Sequence, residues 1–362
     1  MLIEADRLNA LVARIFTAAG CAPEEASRIA EFLVGANLTG HDSHGVARVP
    51  RYVDWLASGE VEAGQSIAVL NDTGGLIVLD GRYGFGATVG RQAVEMGIAR
   101  AQDVGVAIVA LRHAGHLGRI GQWAELALGS GLVSLHIVNV AGSQLVAPFG
   151  GVDRRFSTAP IAFGFPVPDE PPVVLDFATS AVAEGKVLVA SNGGKPLPEG
   201  SLIDPDGRLS ADPATLYGSL EGHRERDHRT GLGAIRAMGD HKGSGLALMC
   251  ELLGGALAGS GCAGPARQRF ANGMVSVYMK PAVFGSEAAI AAETRSFIDF
   301  VRSSRPATPG EPVLLPGEPE RRTMSERRAG GVPLPEGTWA AIRETAARLG
   351  VQADEYRSTA GG

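Results

Sequence analysis

The run Leu76-Ile-Val-Leu-Asp-Gly-Arg-Tyr-Gly-Phe-Gly-Ala-Thr-Val-Gly90 decides the class of fold. Leu76 to Asp80 is an apolar strand, Ala87 to Asp103 carries helical spacing, and Val106 to Leu111 is a second apolar strand. A strand, helix and strand of these lengths imply a βαβ crossover and an α/β protein. The glycines between strand and helix invite comparison with a dinucleotide-binding turn. Their spacing is GxGxxxG, however, and the acid about twenty residues on, Asp103, precedes the second strand instead of ending it. A Rossmann fingerprint is therefore not supported.

Upstream of this unit the sequence is helical. Leu8, Leu11, Val12, Ile15 and Phe16 recur at helical spacing before Gly20. Pro23, Glu24 and Glu25 open a second helix that Gly40 ends. Downstream, strands are expected at Leu132–Val138, Ile161–Phe165, Val173–Phe177 and Met274–Met279. Helices are expected at Arg119–Leu128, Ala181–Ala190, Ser244–Leu257 and Ser286–Arg302. A Pro/Gly/Asp-rich loop covers Asn192 to about Gly222, and Ser303 to about Glu336 reads as irregular before one last helix. Within it the Pro- and Arg-rich stretch Arg305 to Arg328 is too long for a simple connector and reads as a tail arm or functional lid.

Bulk properties narrow the class. A chain of 362 residues can hold two or three domains and a large core. It is 45% hydrophobic and 20% charged with a formal net charge of −6, as expected of a soluble globular protein. No long basic block appears, which argues against a nucleic-acid partner. Cys21, Cys250 and Cys262 form no CxxC pair and are odd in number, pointing to a reducing, cytoplasmic setting. Glu4, Asp6, Arg7 and Arg14 interrupt the N-terminal apolar pattern, so it reads as a helix and not a signal peptide. The most apolar window, Gly245 to Gly261, contains Glu251 and is too short for a membrane span.

Two segments concentrate chemistry. Thr39-Gly-His-Asp-Ser-His-Gly-Val-Ala-Arg-Val-Pro-Arg-Tyr52 holds two histidines, an acid, a hydroxyl, two arginines and a tyrosine. If helix continues from Gly45, His44, Arg48 and Tyr52 stack along one face, with Val46, Val49, Val53 and Leu56 opposite. Pro50 disfavours helical angles at Val49 and is expected to kink that helix or restart it. An imidazole beside a guanidinium suits a carboxylate substrate, which the fork grips while the imidazole exchanges a proton. Read in isolation, the same run is also what a helix start capped by Asp42 or Ser43 looks like. A metal site at His41 and His44 lacks a third ligand at a supporting spacing. The second segment, His113-Ala-Gly-His116-Leu-Gly-Arg119-Ile-Gly121, lies just past a strand end, where α/β sheets place their sites. His116 could equally be a turn residue capping the next helix. Gly239-Asp-His-Lys-Gly-Ser-Gly245 could bind an anion before a helix but lacks the Walker spacing.

Six ordered segments taken together resemble one family. They are Gly40-His-Asp-Ser-His-Gly45, Gly115-His-Leu-Gly-Arg-Ile-Gly121, Val146-Ala-Pro-Phe-Gly-Gly151, Leu175-Asp-Phe-Ala-Thr-Ser180, Gly185-Lys186 and His241-Lys-Gly-Ser-Gly245. They look like the malate/L-lactate dehydrogenase family of type 2, the non-Rossmann NAD(P)-dependent 2-hydroxyacid dehydrogenases. With Leu314-Leu-Pro-Gly-Glu318, the sequence looks most like the hydroxycarboxylate dehydrogenase B branch. The resemblance implies an α/β, mixed-sheet, non-Rossmann dinucleotide-binding fold with a helical N-terminal part and a long C-terminal arm. It divides the chain into a helical domain with the substrate motif (1–66), a small α/β domain (67–120), a cofactor-binding domain (121–285) and C-terminal helices with an arm packing on the N-terminal part (286–362).

It also implies a homodimer with the site near the subunit interface. The catalytic pair would be His44 and His116, either of them the proton exchanger, and Ser43, Arg48 and Tyr52 would bind the substrate carboxylate. Cofactor contacts carry over to His44, Gly118, Arg119, Ile120, Leu175, Asp176, Phe177, Ala178 and Thr179. They carry over as well to His241, Lys242, Asn272, Gly317, Glu318, Pro319 and Glu320. The cofactor would be NAD, with NADP as the alternative, and no metal is needed. Arg154, Arg155, Arg321 and Arg322 could supply a pocket for the extra phosphate of NADP, or be solvated. One departure stands out: most of the family reads Thr-Asn-Pro where this chain has Thr158-Ala159-Pro160. The expected activity is hydride transfer between NAD(P) and C2 of a small 2-hydroxy or 2-oxo acid. The alternatives are reduction of a cyclic 2-imino carboxylate of the piperideine or pyrroline type, a catalytically silent NADH-binding protein, and a His-metal hydrolase.

Overall fold

Seven strands form one mixed sheet in a computed structural model that describes residues 1–191, 195–219, 230–264 and 269–356. They are β1 (Ala68–Thr73), β2 (Leu76–Asp80), β3 (Val106–Ala114), β4 (Val133–Ala141), β5 (Pro160–Phe165), β6 (Val173–Ala178) and β7 (Ala271–Met279). Their spatial order is β1-β2-β3-β7-β4-β5-β6. β2 and β3 are parallel, as the expected βαβ unit demands, and the other neighbouring pairs are antiparallel. The sheet takes strands from both sides of residue 120, where a domain boundary was expected.

Five helices position the site: α1 (Ala5–Ala18), α2 (Pro23–Leu38), α3 (Val49–Ser58), α4 (Gly86–Val104) and α5 (Gly121–Leu128). The helical spacing of α1 places Leu8, Leu11, Val12, Ile15 and Phe16 inside. They share one apolar core with Ile29 and Leu33 of α2 and with Ile77, Leu79, Leu111 and Met274 of the sheet. α4 lies close on β7 because Gly97 has no side chain: a Cβ there would stand 2.3 Å from the Tyr278 ring. A separate apolar cluster, including Val146, Val187, Leu216 and Ile235, supports three short strands at Leu202–Ile203, Leu209–Ser210 and Ala234–Ile235.

Three expectations need correction. The stretch expected to be irregular from Ser303 contains a helix, Glu318–Gly330. Pro319 and two acids open it and Arg327 and Arg328 close it, yet none of its residues is buried, so no apolar period announces it. The loop expected over 192–222 holds the first two of the short strands and a helical turn at Ala214–Tyr217, although 192–194 and 220–222 lie outside the described residues. The helix expected at Ser244–Leu257 starts earlier, at His241, and turns π-helical over Glu251–Leu257. There Gly254 and Gly255 approach Asn139 more closely than any side chain would permit.

Candidate active site

The His44 segment is not one continuous helix. Gly40 ends α2 with a φ of 86°, Asp42–His44 form a single 3-10 turn, and Gly45 is extended at φ −90°, ψ −152°. A second 3-10 turn, Val46–Arg48, leads into α3, which carries Pro50 in its first turn. The break is imposed from a distance. Val46 N–H donates to Asn37 Oδ1 at 2.8 Å, and a Cβ on Gly45 would sit 2.1 Å from that oxygen. Asn37 Nδ2 donates to Asp42 Oδ1 at 2.6 Å. Arg327, from the helix the sequence concealed, donates to both Asp42 oxygens at 2.6 and 3.0 Å. His41 Nε2 lies 3.6 Å from a Glu320 oxygen on the same helix. The Glu318–Gly330 helix thus clamps the turn that presents His44.

The His116 loop is held from the other side. Asn272 Oδ1 accepts from Leu117 N–H at 2.8 Å while its Nδ2 donates to the Asn139 carbonyl at 2.9 Å. The glycine run before α4 packs on this loop, for a Cβ at Gly86 would meet the His116 carbonyl oxygen at 2.1 Å. Gly86 thus serves close packing against His116, and Gly90 lies against Leu117 and Trp123. Gly118 has a φ of 62°, and a Cβ on it would stand 2.4 Å from Phe32.

Both segments open on one cleft of about 1320 Å³. The His44 and His116 rings stack with centroids 5.6 Å apart and planes 8° from parallel. Ser43 Oγ is 3.2 Å from His44 Nδ1, and the Tyr52 hydroxyl is 2.6 Å from His116 Nδ1. Arg48 Nε donates to the Ser43 carbonyl at 2.6 Å, and its Nη1/Nη2 edge has no hydrogen-bond partner among the described residues. Enclosure first, and then the Arg48 charge, push His44 down to about 3 and His116 well below its ordinary value, so both rings are neutral. Burial also lowers Arg48, opposed chiefly by the charge of Glu184. Two neutral imidazoles facing one guanidinium can grip a carboxylate and exchange a proton beside it.

Of the expected residues, Ser43, His44, Arg48 and His116 line the cleft together with Gly118, Arg119, Ile120, Asp176, Phe177, Ala178, Pro319 and Glu320. Asp176 accepts from Gly121 N–H at 2.7 Å at the start of α5, and burial raises its carboxyl above the usual range. Tyr52 stands behind the wall, bonded to His116. Leu175, Thr179, His241, Lys242, Asn272, Gly317 and Glu318 do not line the cleft, and Glu318 pairs instead with Arg302. Residues unassigned from sequence also face it: Arg51, Trp55, Glu184, Lys186 and Phe270. Trp55 lies seven residues after Arg48, a helical spacing that could have found it. Phe270, stacked 4.7 Å from Trp55, lies just before a remote strand and gives no local signal.

The malate/L-lactate dehydrogenase family profile matches residues 3–343. The chain is 38% identical to hydroxycarboxylate dehydrogenase B of Escherichia coli strain K12, over 96% of this chain and 94% of that protein. Sulfolactate dehydrogenase from Methanocaldococcus jannaschii matches in structure with a TM-score of 0.84 at 30% identity, covering 98% of this chain and 99% of that one. A delta1-piperideine-2-carboxylate reductase from Pseudomonas syringae matches with a TM-score of 0.80 at 28% identity, covering 96% and 100%. A likeness that runs from end to end in sequence and in fold means that this chain belongs to the malate/L-lactate dehydrogenase family.

Proposed function

We propose that this chain, an oxidoreductase acting on the CH–OH group of 2-hydroxy acids, moves a hydride between a nicotinamide dinucleotide and C2 of a small 2-hydroxy or 2-oxo carboxylate. The observation that carries the reading is the stacked, neutral His44–His116 pair beside Arg48 in one cleft. Arg48 grips the substrate carboxylate with its Nη1/Nη2 edge, a charge-assisted contact of roughly 1.5–3 kcal/mol. That places the C2 oxygen against the imidazoles, where general acid–base catalysis typically contributes ~10²–10⁴-fold. The carboxylate also cancels part of the Arg48 charge, which after burial is the next cause that depresses both rings.

The cleft fits a dinucleotide as well as an acid. Its volume of about 1320 Å³ exceeds the roughly 300–1,000 Å³ of a pocket for one small ligand. Arg51 and Lys186 on its walls suit an anionic partner. The bound cofactor supplies the hydride chemistry, which leaves substrate orientation and proton movement to the protein. We favour NAD over NADP because the four candidate arginines are engaged elsewhere. Arg154 donates to the Gly231 and Gly233 carbonyls, Arg155 pairs with Asp153, Arg321 donates to the Pro172 carbonyl, and Arg322 pairs with Glu326. A homodimer is part of the proposal: Leu248, Met249, Leu252 and Leu257 leave large apolar surface exposed on the helix that follows the cleft residue Met238. Three free cysteines support a reducing, cytoplasmic setting.

The test is oxidation of NADH and of NADPH by purified protein with a panel of 2-oxo acids and one cyclic imino acid. Turnover of an oxo acid with NADH is expected. Turnover of the imine alone would move the reading to a reductase of cyclic imino carboxylates, and silence with NADH still bound would favour a non-catalytic role.

A further inference from the structure

A residue behind the cleft wall holds His116 by its Nδ1. Tyr52 is 3% exposed and packs among Phe16, Trp55 and Phe85. Its hydroxyl has one hydrogen-bond partner among the described residues, His116 Nδ1 at 2.6 Å. The His116 ring lies edge-on to Tyr52, and its Nε2 has no protein partner among the described residues and is left to the cleft.

The bond can run in two directions. If Nδ1 carries the hydrogen, it donates to the phenol oxygen, and the phenolic O–H is then buried with no acceptor. If the phenol donates, Nδ1 accepts, the ring hydrogen sits on Nε2, and each group has a partner or faces the cleft. An unpaired buried donor disfavours the first arrangement by roughly one to two orders of magnitude. Burial raises the Tyr52 phenol, which keeps its proton available to donate. His44 is under no such constraint. Its Nδ1 meets the Ser43 hydroxyl, which rotates to donate or accept.

We propose that Tyr52 is a positioning residue that fixes His116 as the Nε2–H tautomer, making His116 the hydrogen-bond donor to the C2 oxygen and leaving His44 to exchange the proton. In the oxidative direction the substrate O–H bond breaks and its proton goes to the Nε2 lone pair of His44. A bound nicotinamide would accept the electron pair of the C2–H bond as hydride, and His116 keeps its proton throughout. The kinetic part of this assignment rests on the dehydrogenase reading above.

The deciding experiment is a long-range ¹H–¹⁵N spectrum of the ring nitrogens in histidine-labelled protein, wild type and Tyr52→Phe. The wild type is expected to show a pyrrole-type Nε2 and a pyridine-type Nδ1 at His116, and the variant a mixture of tautomers. A pyrrole-type Nδ1 in the wild type, or a spectrum indifferent to the substitution, overturns the proposal. This readout needs no turnover, so it succeeds or fails apart from the dehydrogenase reading. Should the variant not fold, the wild-type spectrum alone decides. In kinetics, Tyr52→Phe is expected to lower kcat about tenfold with KM little changed, and His44→Gln to lower kcat by ~10²-fold or more. A His44→Gln enzyme with wild-type kcat beside an inactive His116→Gln enzyme would reverse the roles and sink the assignment.

Discussion

Asn272→Ala separates a structural amide from a cofactor contact. Asn272 is 2% exposed, and both ends of its amide are spent on backbone: the Leu117 N–H on one side and the Asn139 carbonyl on the other. Truncation leaves a buried donor and a buried acceptor unpaired, each costing ~1–3 kcal/mol, so a loss of about 2–6 kcal/mol is expected. At an unfolding entropy of about 2.1 cal/mol/K per residue, a chain of 362 residues then melts about 3–8 °C lower. Leu117 follows His116, so kcat should fall as the loop loosens. NADH affinity, measured by fluorescence titration well below the melting transition, should change less than about threefold. A variant melting within about 1 °C of wild type while binding NADH about tenfold more weakly would refute this reasoning and give the amide to the cofactor.

Gly118→Ala must bear a left-handed φ of 62° and a Cβ 2.4 Å from Phe32, so it should lose about 2–5 kcal/mol in urea unfolding; wild-type stability would contradict the packing described. His136 is fully buried and pushed down to about 3 from 6.5, so between those pH values the unfolded chain binds a proton that the folded chain refuses. Its contribution is complete above pH 6.5 and is lost as pH falls, by at most ~1.4 kcal/mol per unit; melting curves at several pH values should show that slope and His136→Gln should flatten it. An unchanged slope in the variant would assign the pH dependence to other groups. Ala159 is buried at a φ of 33°, so Ala159→Gly should relieve about 1–2 kcal/mol of backbone strain, offset by ~0.5–1 kcal/mol of glycine entropy. A lower melting temperature in that variant would show the left-handed backbone to be unstrained.

The parts of this fold legible in sequence are those where burial and local spacing agree. The apolar runs of β2 and β3 and the spacing of α1 mark elements whose inward faces are fully enclosed. β1 escaped because it is an edge strand with almost every residue exposed, and the Glu318–Gly330 helix escaped because it buries nothing. The turns around His44 could not be read locally, since the bond that breaks the helix at Gly45 comes from Asn37, nine positions earlier. In the site, residue type pointed to His44 and Arg48. Their meeting with His116 depends on contacts of α3 and the turns before it with the loop after β3, which spacing within either segment does not encode; only the family resemblance supplied it.

Ala159 shows why a departure from a family pattern need not touch the chemistry. In sequence, Ala159 stands between Thr158 and Pro160 where most of the family reads Asn. Ala159, however, is fully buried and does not line the cleft, whereas both of its neighbours do. Its N–H donates to Ser157 Oγ, its carbonyl accepts from the Cys250 thiol, and its backbone is left-handed. Asn is among the residues that tolerate a left-handed backbone most readily, so an Asn there answers a conformational demand that Ala meets at the cost of strain. The substitution therefore bears on the stability of the β5 entrance more than on what faces the substrate. His44, Arg48 and His116 keep their geometry across the cleft, and Ala159 lends no weight to a silent relative of the enzyme.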